Sequence, residues 1–517
     1  MLFSYQWLQS YFDEKLPAPE VLAERLALGF AEVDGIEEKG DDAILDIKIL
    51  PDRACYALSH RGVAGEVAAL LGLKMKERAT RVPRAPRKTR MISLRVDDSK
   101  LCRRHIARMV ENVSVGPSPD WLKERLEAVG QRSINNIVDA TNFITLDMGQ
   151  PMHAFDADKI KGKVTVRPGL AGEVLVTLDG KSVYVDPSIV VIADEEGPLD
   201  IAGIKGGKKA ELDKNTKTIL LSVANFDPTS IRRTAAKTGI KTDASKRFEN
   251  NFTALRAKDG MGEIAALIAT LCTGATFGKE IDIYPKKEKK RRIVVPIKFV
   301  KDALGLDISE KEMCAALSRL SISSRKRGAT LIVAPPPERL DLARPEDIVE
   351  EIGRISGLER IPEAALPPVY APPAMNKRLT LENSIRDLLV SEGFSEVMTS
   401  SFTSTGDIAI EKPLASDKAY CRKDLWTNFH PALLKNYSNA PLLGYEEVKQ
   451  FEIGKVFTAK GEHSALIVGL MPARTTVRSG GPSKKSVGDI LQKVEKTLGV
   501  TLGGKFCGGN NVYECTL

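Results

Sequence analysis

The chain has 517 residues, 43% hydrophobic and 28% charged, with a formal net charge of +8. That length exceeds what one hydrophobic core supports and predicts three or four domains of ordinary globular composition. A positive balance is compatible with a polyanionic partner without specifying one. No run of about 20 apolar residues is present, which argues against a membrane span. The start, MLFSYQWLQSYFDEK, lacks the basic and apolar pattern of an export signal. Seven scattered cysteines without a C-x-x-C pair argue against structural zinc and disulfides, and predict a reducing, cytoplasmic setting.

Three composition shifts divide the chain: the basic stretch 74–90, the basic junction 285–292 and the proline-rich run 362–374. The basic stretches read either as solvated linkers or as contacts to phosphates. The domains expected between them are 1–78, 91–285, 293–365 and 375–517. The first should hold a helix from Pro17 to Leu28, with Leu22, Leu26 and Leu28 apolar, then the strand ILDIKIL and a helix from Gly62 to Leu71. The second alternates strands such as VTVRP and SIVVIAD with helical stretches, an α+β pattern. The third reads strand, helix, strand, then a helix opened by Pro345. The fourth begins with the amphipathic helix LTLENSIRDLLVSEGF and continues with the strands SEVMTSSF, VKQFEIGKVF and SALIVGLM.

The segment PPPERLDLARPEDIVEEIGRISGL carries an electrostatic anomaly. Ile348, Ile352 and Ile355 form one apolar stripe. Asp347, Glu350 and Glu351 fall at i, i+3 and i+4 on the neighbouring face, where like charges repel, and Asp341 can add a fourth oxygen donor. Magnesium, a hard cation held by carboxylates, would relieve the crowding. An acidic solvated helix start, favoured by the dipole, is the alternative. This D-x5-D-x2-E-E pattern resembles the B5 domain of phenylalanyl-tRNA synthetase β subunits. The resemblance implies a Mg2+ site at Asp341, Asp347, Glu350 and Glu351, at the contact with the α subunit.

SINNIVDATNFITLDMGQPMHAFD at 133–156, GIKGG at 203–207 and TGIKTDASKRFEN at 238–250 resemble the B3/B4 domain of the same family, in the bacterial type. In that family the domain hydrolyses tyrosine mischarged onto the phenylalanine tRNA. Carried over by position, the editing pocket would contain Thr141, Asn142, Pro151, His153, Gly203, Gly206, Thr242 and Ala244. His153 would orient a water or bond the ribose, and the glycines would let backbone approach the ester. Ser222 stands where the family has a glutamate that recognises the tyrosine hydroxyl. A shorter, neutral group there predicts weak or absent editing unless another acid compensates.

GFAEVDGIE and LDIKILPDRACYALSHRGVAGEVAALLG resemble the family's B1 region, but only EKGDDAI separates them where typical members insert an OB-fold tRNA-binding domain. The chain also stops at Leu517, where the family normally continues into an anticodon-stem-binding domain. Residues 375–510 resemble a degenerate, antiparallel-sheet class II synthetase module. Its motif 2 counterpart, VKQFE, has Lys449 and no arginine to clamp an ATP phosphate. The resemblance thus implies a reduced β subunit of phenylalanine–tRNA ligase in an (αβ)2 heterotetramer. ATP, phenylalanine and the charging of tRNA(Phe) would belong to the α subunit. A stand-alone deacylase of mischarged tRNA and a non-catalytic binding paralogue are the rival expectations.

Overall fold

The computed structural model describes residues 1–77, 81–85, 90–366, 374–472, 486–507, 509 and 511–517. Much of the proline-rich run and parts of the basic stretch after residue 74 therefore lie outside the described residues. The chain divides into two compact units, Met1–Ala364 and Ala365–Leu517.

In the first unit, the N-terminal residues form a three-stranded antiparallel sheet in the order Leu2–Ser4, Asp42–Ile47, Val33–Lys39. The last two are joined by a tight hairpin in which Gly40 adopts φ +62°, a left-handed conformation that suits glycine. Helices Pro19–Gly29 and His60–Leu71 pack nearby; Leu22 and Leu26 are buried, but Leu28 points to solvent at 71% exposure. The apolar stripe is therefore narrower than its spacing suggests. Leu28 sits one turn-step past the buried ridge.

Two five-stranded sheets follow. One runs Lys205–Gly206, Pro198–Ile201, Val190–Ala193, Val164–Pro168, Leu94–Val96. The other is built on Cys102–Glu111, which pairs with Thr218–Phe226, and Met152–Asp156 pairs with the far side of that second strand. Thr218–Phe226 is buried along nearly its whole length, and its side chains serve two cores by alternation. Leu220, Ala224 and Phe226 join the core between the sheets. Ile219, Leu221 and Val223 join a core with helices Asn136–Met148 and Arg256–Leu271 and with Phe3, Trp7 and Leu8 of the N-terminal block. The N-terminal block and the two-sheet region thus share one core. Ser222 falls on the inter-sheet side, a polar residue in an apolar layer.

Residues 293–358 add a three-stranded antiparallel sheet, Ile293–Pro296, Thr330–Ala334, Ser323–Arg327, covered by helices Ile297–Leu304, Glu310–Arg319 and Pro345–Ser356. Ile348, Ile352 and Ile355 are buried, as the stripe predicts.

The second unit is a five-stranded sheet ordered Ser395–Glu396, Glu447–Thr458, Gly461–Pro472, Val512–Thr516, Gly504–Phe506. Helices Lys377–Ser391 and Val487–Leu498 cover one face and Trp426–Asn439 the other. Of the expected strand SEVMTSSF, only Ser395–Glu396 and the start of Phe402–Thr403 pair. The serine and threonine hydroxyls between them bond to neighbouring groups instead, as Thr399 does to Glu452. No described helix is long and apolar enough to cross a membrane.

Candidate functional site

A cavity of about 90 Å3 opens between the two central sheets. Helix Asn136–Met148 ends at Gly149 with φ +78°, which turns the chain sharply into Gln150 and Pro151. The Gln150 amide then donates to the carbonyls of Pro151 and Ala224, fixing the start of the strand Met152–Asp156. In that strand His153 lies directly across from Ser222. Opposite, the turn at Gly203 takes φ +68°, and a side chain there would collide with Phe226, Phe248 and Ile231 at about 3 Å. A Cβ on Gly206 would lie 2.8 Å from His153 Cε1, so the imidazole packs on bare backbone. Ile192, Ile204, Phe226, Phe248 and Ala244 supply apolar walls.

The cavity's polar groups are unusual in charge state. Burial lowers His153 to about 4, so its ring is neutral at pH 7, with one nitrogen a donor and the other an acceptor. Ser222 is buried at 4% exposure, and its hydroxyl bonds His105 Nε2 at 2.8 Å. Burial likewise lowers His105 to about 4. Asp200, on the strand Pro198–Ile201, also lines the cavity; burial alone pushes its carboxyl well above the usual carboxylate range.

Of the residues expected here from sequence, Pro151, His153, Gly203, Gly206, Ser222 and Ala244 line the cavity. Thr141, Asn142 and Thr242 do not. Thr141 Oγ1 turns back to the Val138 carbonyl within its own helix. Thr242 caps helix Asp243–Glu249 and donates to the Ile204 carbonyl, so it holds the turn that carries Gly203 and Gly206. Asp200 and His105 were missed. The signal for Asp200 is an acid inside the otherwise apolar stretch PLDIAGI, and for His105 a histidine inside a buried strand.

The four carboxylates near residue 345 do not gather as a metal site. Glu351 is 1% exposed, and its oxygens accept from Arg53, Arg339 and Arg354. Burial would raise its carboxyl, but Arg354 and Arg339 outweigh that and hold it at about 2. Both oxygens of Asp341 are engaged by Arg339. Glu350 faces outward and pairs with Arg53. Asp347 accepts the N–H groups of Ala343 and Arg344 at the helix start. Among the described residues no group of three or more His, Cys, Asp or Glu side chains is arranged to hold a metal ion. Guanidinium groups meet Asp341, Glu350 and Glu351, and backbone amides meet Asp347, where a magnesium ion was expected.

In the second unit Lys449 pairs with Glu447 and donates to the Glu392 carbonyl. The arginine nearby, Arg422, is buried against Glu452 at 2.6 Å and bonds the Lys455 carbonyl. Its fork is consumed by the sheet rather than offered to a phosphate.

Comparison with known proteins places these features in context. Three family profiles match in succession: the B3/4 domain over residues 101–273, the tRNA synthetase B5 domain over 293–358, and the phenylalanyl tRNA synthetase beta chain CLM domain over 361–487. The phenylalanine–tRNA ligase β subunit of Bdellovibrio bacteriovorus is 35% identical over 448 residues, 82% of this chain and 54% of that one. That of Carboxydothermus hydrogenoformans is 34% identical over 472 residues, 88% and 57%. That of Syntrophus aciditrophicus is 35% identical over 520 aligned positions, 94% and 63%. The chain thus spans little more than half the length of the curated relatives it matches.

Proposed function

The chain belongs to the phenylalanine–tRNA ligase β-subunit family, and on that footing we propose that it is the non-charging partner of a catalytic α subunit in an (αβ)2 heterotetramer. The α subunit would activate phenylalanine with ATP and transfer it to tRNA(Phe), which sets the assembly in the cytoplasm. Support comes from the three family profiles running in order from residue 101 to residue 487. The second unit would contribute surface rather than chemistry, since Arg422 is spent on Glu452. Magnesium is assigned to none of Asp341, Asp347, Glu350 or Glu351, whose charges are already met by arginines and amides.

The inter-sheet cavity would hydrolyse a mischarged aminoacyl ester. Water attacks the ester carbonyl, the bond to the ribose oxygen breaks, and a free amino acid and a free terminal hydroxyl leave. A neutral His153 is suited to accept a hydrogen bond from that water, and the absence of side chains at Gly203 and Gly206 admits the ester to the backbone.

Co-expression with a candidate α subunit, followed by sizing and a phenylalanylation assay, tests the first part. Co-elution with charging that depends on this chain supports it; separate elution with charging unaffected overturns it. Hydrolysis of Tyr-tRNA(Phe) by the assembly, lost in His153→Ala, supports the second part. Its absence from the unaltered protein overturns that part.

A further inference from the structure

Within the inter-sheet cavity one polar atom has no structural employment. Asp200 is 6% exposed, and its Oδ1 is fully buried with no hydrogen-bond partner among the described residues. Buried polar atoms are almost always satisfied, because an unmade hydrogen bond leaves desolvation uncompensated. No cation offsets Asp200 either: burial is the sole cause of its raised carboxyl. The neighbouring strand supplies Lys205 to the same cavity, yet no ion pair joins the two.

The register says where the carboxyl points. Asp200 lies directly across the antiparallel pair from Gly206, so their side-chain directions share one face. The Cβ direction of Gly206 leads into the His153 ring at 2.8 Å. Asp200 therefore faces the space beside His153, among Ile192, Ile204, Phe226 and Phe248. Ser222 also lines the cavity, but its hydroxyl already bonds His105, whereas Asp200 Oδ1 has no partner to give up.

We propose that Asp200 is the specificity-determining residue of this cavity, and that it recognises a hydroxyl on the side chain of the bound aminoacyl group. The inference rests on reading the cavity as the hydrolytic site. A carboxyl in an apolar slot offers one donor and one acceptor when neutral, which is the complement of a hydroxyl. An aminoacyl group lacking that hydroxyl would leave Asp200 buried and unpaired, and so would bind less well. The cavity, about 90 Å3, is partly open to solvent, so a bound side chain can extend beyond it.

Two matched pairs isolate the hydroxyl: the tyrosyl and phenylalanyl esters of adenosine, and the threonyl and valyl esters. Hydrolysis of all four by the full chain, with binding of the four corresponding amino-acid amides by calorimetry, reads the preference. The unaltered protein should favour the hydroxylated member of at least one pair by about 10- to 100-fold. Asp200→Ala should abolish that preference, Asp200→Asn should retain part of it, and Ser222→Ala should leave it intact. Because Asp200 has no partner to lose, Asp200→Ala should melt no lower than the unaltered chain, whereas a structural role would lower its Tm. No preference in either pair, or a preference that survives Asp200→Ala, overturns the proposal. An Asp200-dependent binding preference without any hydrolysis would instead overturn the hydrolytic reading and leave the recognition role standing.

Discussion

His105 Nε2 and Ser222 Oγ lie 2.8 Å apart on neighbouring strands, both buried between the sheets. The hydroxyl, at the cavity wall, is thereby tied to a neighbouring strand. A serine at this position is a structural group in this chain, and the acid of the cavity comes from another strand.

The histidine makes acid stability predictable. His105 and His60 are both fully buried, and burial lowers each from 6.5 to about 4. His60 accepts the Ser4 N–H on Nε2 and meets the Leu146 carbonyl through Nδ1, an arrangement that only the neutral ring satisfies. In the unfolded chain both take a proton near pH 6.5, and in the folded chain only near pH 4. Stability is therefore complete above pH 6.5 and falls as pH drops toward 4, by about 3 kcal/mol for each histidine. His153, lowered in the same way, adds a third such contribution, so thermal melts between pH 7 and pH 4 should show the decline and His105→Gln should flatten it by roughly a third. A flat profile for the unaltered chain contradicts the assignment.

Glu351 should be far more costly to lose than its surface neighbours. Glu351→Ala leaves Arg53, Arg339 and Arg354 facing one another without their shared carboxylate, at a cost of about 3–5 kcal/mol. Glu350→Ala, which removes an exposed carboxylate and leaves Arg53 still paired with Glu351, should cost about 1 kcal/mol or less. Chemical denaturation distinguishes the two. Because arginines neutralise this cluster, EDTA should leave the Tm of the isolated chain unchanged; a marked drop would mean that a bound cation matters to the fold.

Asp147 ties the N-terminal block to the helix beneath the cavity. It accepts from the Trp7 indole at 2.9 Å, from Tyr11 and from Arg61 at 3.0 Å. Asp147→Ala should destabilise by about 3 kcal/mol. Since the two regions share a core, fluorescence of Trp7 and far-ultraviolet circular dichroism should still report one transition for Met1–Ala364. Separate transitions would show that the shared core does not couple them.

Gly206→Ala should disable the cavity without unfolding the chain. The added methyl would sit 2.8 Å from His153 and push the ring aside. A displacement near 1 Å lowers a positioned reaction by about 100-fold. Ester hydrolysis should fall by that order with the Tm little changed, and retention of full rate would show that His153 does not position the water.

Local pattern carried much of the architecture and less of the site. The stripe Ile348, Ile352, Ile355 was readable because helical period is local, and so was the helix start at Pro345. The fate of the acids was not, since Arg53 meets Glu351 across 298 residues of sequence. The motifs do bring His153, Gly203 and Gly206 to one cavity, whereas Thr141, on the helix Asn136–Met148, bonds inward. Asp200 escaped notice because its meaning lies in a cross-strand register with Gly206 and in the absence of a partner. Neither is a property of a sequence window.

The hairpin at Gly40 has a practical consequence. Its strands Val33–Lys39 and Asp42–Ile47 enter and leave the N-terminal sheet side by side, with the tip exposed to solvent. A polypeptide whose own ends lie about 5 Å apart can be spliced between them without disturbing the register beneath. The turn is a ready-made port, through which a cargo domain can be plugged into the scaffold or removed from it while the strands on either side stay paired.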